Sequence, residues 1–144
     1  MRGEFSSSWL AWALLSAAFA AATAIFAKIG VENIDSDLAT LIRTLIVAFV
    51  LAALLFATGR LTQVDVSSRT WLFLTLSALA TGGSWLCYFR ALKLGDAARV
   101  APIDKLSVVL VALIGAIFLG ERLLTINWLG VALIAAGAVL VAFR

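Results

Sequence analysis

Histidine is absent from this chain of 144 residues, and cysteine, proline, methionine and tyrosine each occur once. Without histidine, the commonest metal ligand and the usual general base near neutral pH are both gone. A single cysteine, Cys87, can form neither an intramolecular disulfide nor a thiolate metal cluster. No nucleophile and base pair stands out either, so the chain reads as a non-enzyme with no metal site and no cofactor. Charged residues are sparse, at 13%, and the net charge of +3 and pI of about 9.6 come from cations beside apolar runs. That placement is juxtamembrane anchoring and speaks against a nucleic-acid partner.

What fills the chain is hydrocarbon. The hydrophobic share is 64% and the mean hydropathy +1.11, more than a soluble domain of this length could hide in one core. Five apolar runs extend from Trp9 to Ile29, Leu38 to Ala57, Trp71 to Leu92, Val100 to Leu119 and Ile126 to Phe143. Each is close to the ~20 residues a helix needs to cross ~30 Å of hydrocarbon. Lipid offers backbone amides no partner, and the runs lack the alternation of barrel strands. The expected fold is therefore all-α, an integral membrane bundle of five transmembrane helices forming one domain over residues 1–144. The expected location is the cell membrane, multi-pass, which is the inner membrane for a bacterial source. The first run is far longer than the ~7 to 15 residue apolar core of a signal peptide, so it reads as a spanning helix. Five spans place the two termini on opposite sides.

The connections are short. Gly30 to Asp37 carries Glu32, Asp35 and Asp37, with Ser36 and Asp37 suited to capping the second helix. Thr58 to Thr70 is the longest and holds Arg60, Asp65 and Arg69; Gly120, Glu121, Arg122 and Thr125 form a tight turn. Such turns predict antiparallel neighbours. Lysines and arginines nearly balance across an alternating path. Arg2, Arg60, Arg69 and Arg122 lie on one side; Lys28, Lys93, Arg99 and Arg144 lie on the other, with Arg90 and Lys105 nearby. Two readings stand open: a weakly biased single topology, or dual topology in which antiparallel copies pair and recreate an inverted repeat.

The stretch from Tyr88 through Ala91, Leu92, Gly95 and Pro102 continues with Gly115, Leu119, Gly120, Glu121, Trp128, Leu129, Gly130, Leu133, Ile134 and Gly137. It resembles the EamA domain of the drug/metabolite transporter superfamily. Family members commonly hold two such units in ten spans, so the resemblance implies a half-transporter that pairs. The segment Pro102, Ile103, Asp104, Lys105 departs from the more apolar or serine-rich version of ten-span relatives.

The residues can also be weighed one by one. Pro102 falls near the expected start of the fourth helix, where a missing amide costs little. Gly115, Gly130, Ala132, Ala136 and Gly137 give the last two helices small surfaces for close approach, within one subunit or between two. Glu121 and Arg122 read as punctuation at a helix end. Arg43 lies about two turns into the second helix and stays charged at ordinary pH, so it either faces a cavity or reaches the interface and Asp37. Asp104 and Lys105 point in different directions on a continuous helix and need not pair. Arg90 and Lys93 read as interfacial snorkelling cations. Ser77, Thr81, Ser84 and Tyr88 recur at helical spacing on the third run, as do Trp12, Ser16, Phe19 and Thr23 on the first. Trp85 is a stacking wall beside the former, and Gly82 and Gly83 loosen the helix between them.

These features converge on a secondary transporter of a small metabolite, a homodimer with alternating access. Its substrate-facing residues would be Arg43, Trp12, Ser16, Thr23, Ser77, Thr81, Ser84, Trp85, Tyr88, Asp104 and Lys105. Cations outnumber acids at membrane depth, which favours an anionic or zwitterionic substrate in a setting of membrane lipid. Asp104 is the acid nearest membrane depth and the place for a coupling proton. The rival readings are a lipid-carrier flippase and a non-transporting scaffold or accessory subunit.

Overall fold

A helix that ends at a membrane surface leaves its last four carbonyls without intrahelical partners, and this chain meets that demand with its own cations. The computed structural model describes the backbone of residues 3–60 and 66–143, and side chains from residue 9 within those ranges. Arg2, Asp65 and Arg144 lie outside the described residues. Helices are α1 (Gly3–Gly30), α2 (Ser36–Ala57), α3 (Ser68–Leu94), α4 (Ala97–Asp104), α5 (Ser107–Phe118) and α6 (Thr125–Ala142), with no strand among the described residues. Taking α4 and α5 together as Ala97–Phe118, five segments are long and apolar enough to cross a membrane. The chain is an all-helical, multi-pass membrane protein.

The fourth span is not the continuous helix expected over Val100 to Leu119. It starts earlier, at Ala97, and changes winding after Asp104. Pro102 is the cause. It sits inside α4 and not at its first turn, so it cannot donate the amide bond that the helix requires there. Just beyond it the bonds tighten to an i→i−3 pattern. Lys105 N–H donates to the Pro102 carbonyl (3.1 Å), Leu106 to Ile103 (3.0 Å), Val108 to Lys105 (3.0 Å) and Val109 to Leu106 (3.0 Å). This is a 3₁₀ stretch, the usual mark of a hinge or local strain inside a longer helix.

Contacts divide the chain into two units, residues 1–26 with 95–144, and residues 27–94. In the second unit α2 packs on α3. The buried positions are Ala27, Val31, Ser36, Ala39, Thr40, Phe89 and Leu92, so packing is concentrated in the first two turns of α2 and the last two of α3. Asp35 caps α2, its Oδ1 accepting the amides of Asp37 (2.9 Å) and Leu38 (3.1 Å). The cap is thus one residue earlier than Ser36 and two earlier than Asp37, because Asp35 has the extended backbone that a cap requires. Ser36 is buried instead. α3 begins at Ser68, before Trp71, with Ser67 Oγ accepting the Thr70 amide (3.2 Å).

In the first unit α6 packs against both α4 and α5. Its inward face is Trp128, Val131, Ala135, Ala138 and Ala142, spaced by three or four residues. Ala132, Ala136 and Gly137 are exposed away from that face, and Gly130 is half-buried. α5 closes on Gly120, whose φ of +67° is the left-handed conformation that ends helices, while the Glu121 amide returns to the Gly115 carbonyl (3.1 Å). The Glu121 carboxylate then lies over Gly115, where an added Cβ would meet Oε2 at 2.8 Å. Gly115 is therefore covered from within the chain.

Gly120→Ala should cost about 1–2 kcal/mol, because a Cβ is strained in the left-handed region. Gly115→Ala should cost clearly less, because the group in its way is the end of a flexible Glu121 side chain. Chemical denaturation of the purified chain in detergent, following helicity, checks the order; equal losses would count against the turn geometry.

Candidate functional site

The polar groups of residues 27–94 fall into two layers. The outer layer ties helix ends together. Lys28 Nζ donates to the Leu92 carbonyl (2.7 Å), and Lys93 Nζ donates to the Ile34 carbonyl. Arg90 grips Asp37 with both arms, Nε to Oδ1 at 3.0 Å and an Nη to Oδ2 at 2.6 Å. Arg90 and Lys93 are thus not idle snorkelling cations. One closes α3 onto α2, and the other satisfies a carbonyl of the loop before it. Their task follows from chain geometry: the end of α3 lies beside the start of α2, where acidic residues and unbonded carbonyls collect.

The inner layer is Arg43. Asp37 is committed to Arg90, so the pairing of Arg43 with Asp37 does not form. The guanidinium carbon instead rests over the Trp85 ring, 4.1 Å from its centroid, and 5.6 Å from that of Phe89. Arg43 is half-buried, and it has no carboxylate partner among the described residues. The aromatic seat follows from spacing: Trp85, Tyr88 and Phe89 stand three and four residues apart on one face of α3. Tyr88 and Phe89 meet edge to face, centroids 6.5 Å apart. A cation on an indole face is held without being neutralised, so it keeps its charge available for a ligand.

Of the expected substrate-facing residues, Arg43, Trp85 and Tyr88 are brought together. Ser77, Thr81 and Ser84 stay on the exposed surface of α3, and Thr81 bonds its own helix through the Ser77 carbonyl (2.8 Å). Trp12 and Ser16 are exposed on α1 and Thr23 is half-buried. Asp104 and Lys105, which need not pair on a continuous helix, do pair here, Nζ to Oδ2 at 3.1 Å. Phe89 is the site residue that sequence reasoning missed. Its position one turn after Trp85 was the available signal, but in an apolar span a phenylalanine carries no distinguishing mark.

Residues 7–143 match the EamA-like transporter family. An uncharacterized transporter in the cobO 3′ region of Sinorhizobium sp is 66% identical over 138 residues, covering 95% of this chain and 98% of that protein. An uncharacterized transporter of Vibrio cholerae is 34% identical over 95 residues, which are 62% of this chain and 31% of that relative. No solved structure matches the chain.

Removing the indole should release Arg43. Trp85→Leu is expected to lower stability by about 0.5–2 kcal/mol beyond the packing loss of an Arg43→Met, Trp85→Leu double mutant, the range of a cation–π contact. Trp85→Phe should keep part of it. A double-mutant cycle in detergent-solubilised protein measures the coupling; none detected would remove the aromatic seat.

Proposed function

This chain belongs to the EamA-like transporter family, and from that membership we propose that it is a secondary transporter of a small anionic or zwitterionic metabolite, acting as a homodimer by alternating access. The observation that carries the reading is Arg43, a permanent cation inside a spanning helix, seated on Trp85 and left without an acidic partner among the described residues. An arginine at membrane depth is costly, on the order of 2.5–3.5 kcal/mol near a helix centre on insertion scales, and such residues face bundle interiors or aqueous cavities. A carboxylate or phosphate on the substrate supplies the missing partner.

Pairing is supported by surface and by the organisation of the family. The stretch shared with the Vibrio relative is twice as large a share of this chain as of that protein, so the relative is about twice as long. Ala132, Ala136 and Gly137, exposed on α6, form a surface on which a second helix can approach closely. The near balance of positive charge across the path favours antiparallel copies. The 3₁₀ stretch after Asp104 provides a bending point for rocking between states.

Reconstituted into vesicles, the wild-type chain should take up organic acids or amino acids. Arg43→Ala should reduce uptake by about tenfold or more while the dimer persists, the size of losing one charge-assisted hydrogen bond. Unchanged uptake in that variant would remove Arg43 from the path. Movement of polyprenyl phosphates alone would favour the flippase, and assembly defects without any flux would favour the scaffold. Ala136→Cys in a Cys87→Ser background should crosslink in native membranes. Maleimide labelling of tags at the two ends should find each end on both membrane sides; labelling from one side only would exclude antiparallel pairs.

A further inference from the structure

An anion-binding arginine can serve either an amino acid, whose carboxylate travels with an ammonium group, or an organic acid, whose charge is uncompensated. The surroundings of Arg43 separate the two. Resting on the transporter reading, we infer that Arg43 is the carboxylate subsite for an organic monoanion, and that it discriminates against zwitterions.

The first argument is donor supply. One side of the guanidinium lies against Trp85, with Phe89 nearby, and no hydrogen bond or ion pair joins it to a described residue. An aromatic seat engages the face of the cation and leaves N–H groups at its edge, which match a planar carboxylate in bidentate fashion. The second argument is acid supply. Residues 27–94 hold three described acids on the Arg43 side of α2: Glu32, Asp35 and Asp37. Both oxygens of Asp37 are held by Arg90, and Asp35 is occupied by two amides of the first turn of α2. Even Asp37 precedes Arg43 by six residues, about 9 Å along the axis at ~1.5 Å per residue. The ammonium of an amino acid, fixed on the carbon that bears the carboxylate, would therefore sit beside the guanidinium, well over one helical turn from Asp37 and further along the chain from Asp35 and Glu32. The indole face nearest the guanidinium is already taken by Arg43 itself.

The third argument is charge balance. One cation is neutralised by one negative charge, whereas a phosphate near its second ionisation brings close to two. At the joined ends of α2 and α3 the other cations are engaged, Lys28 and Lys93 on carbonyls and Arg90 on Asp37, while Arg60 and Arg69 belong to the opposite ends of those helices. A monocarboxylate leaves the inner layer neutral, and a dianion leaves it with excess charge in a low-dielectric surrounding.

The test uses the purified full chain in detergent and small probes. Phenylglyoxal modifies guanidinium groups, and mass spectrometry reads the rate at Arg43 with Arg69 as the internal reference. At matched ionic strength, acetate should slow modification of Arg43 by about threefold or more relative to chloride, as expected for a charge-assisted bidentate contact. Glycine and methylammonium should leave the rate unchanged, and inorganic phosphate should protect less than acetate. A second reading does not need reagent access: with the other four of the five tryptophans replaced by phenylalanine, Trp85 emission should titrate with acetate and not with glycine. Protection by glycine equal to that by acetate, stronger protection by phosphate, or no response of either reading to acetate would overturn the assignment. Flux measured on the same preparation separates the two readings. Amino-acid uptake with glycine protection keeps the transporter and overturns the monoanion subsite; acetate protection with no flux of any solute keeps the subsite and overturns the transporter.

Discussion

A chain this apolar is governed by one constraint: no carbonyl at a helix end can be left to the lipid. Two cations answer it directly, and a third serves a loop carbonyl. Lys28 takes the Leu92 carbonyl at the end of α3, Lys93 takes the Ile34 carbonyl, and Arg99 takes the Ala142 carbonyl at the end of α6 (2.7 Å). The bonds to Leu92 and Ala142 satisfy orphan acceptors and place positive charge where a helix dipole is negative, and Lys93 satisfies a carbonyl of the loop before α2. Their long stems reach from the apolar body of the helix to its polar rim, which is what makes lysine and arginine suited to the task.

This use of the cations changes what the charge inventory means. In composition, lysines and arginines form one class that outnumbers the acids. In the fold, those bonded to carbonyls or carboxylates are structural, and Arg43 stands apart because Asp37 is already held by Arg90. One ion pair thereby sets the character of the inner layer. Had Asp37 turned toward Arg43, the inner cation would have been neutralised and the span would carry a closed pair in place of an open charge.

Proline acts at a distance from where composition suggests. Pro102 is compatible with a helix start, yet α4 begins five residues earlier, at Ala97, after Asp96 in an extended backbone. The missing amide therefore falls inside the span, and the strain is taken up over the next turn by i→i−3 bonds. Asp104 and Lys105 pair where that turn begins. Glu121 shows the same logic on a smaller scale: a helix-ending glycine reverses the chain, and the carboxylate that follows folds back over Gly115.

The class of protein and the number and approximate limits of its spans were legible in the sequence, because both depend on hydrocarbon content and length, which are properties of each segment alone. Arg43, Trp85 and Tyr88 were likewise visible as unusual residues at helical spacing. The placement of the cap at Asp35, the pairing of Asp37 with Arg90, the meeting of Asp104 with Lys105, and the part played by Phe89 were not. Each depends on which side chains a neighbouring turn or helix brings within about 4 Å, a distance at which an ion pair, a carbonyl and an aromatic face compete for the same cation. Sequence thus determined that charge would be carried into the membrane, and tertiary structure decided which charges are spent on the fold and that Arg43 has no carboxylate partner among the described residues, since that choice is made by proximity between segments far apart in the chain.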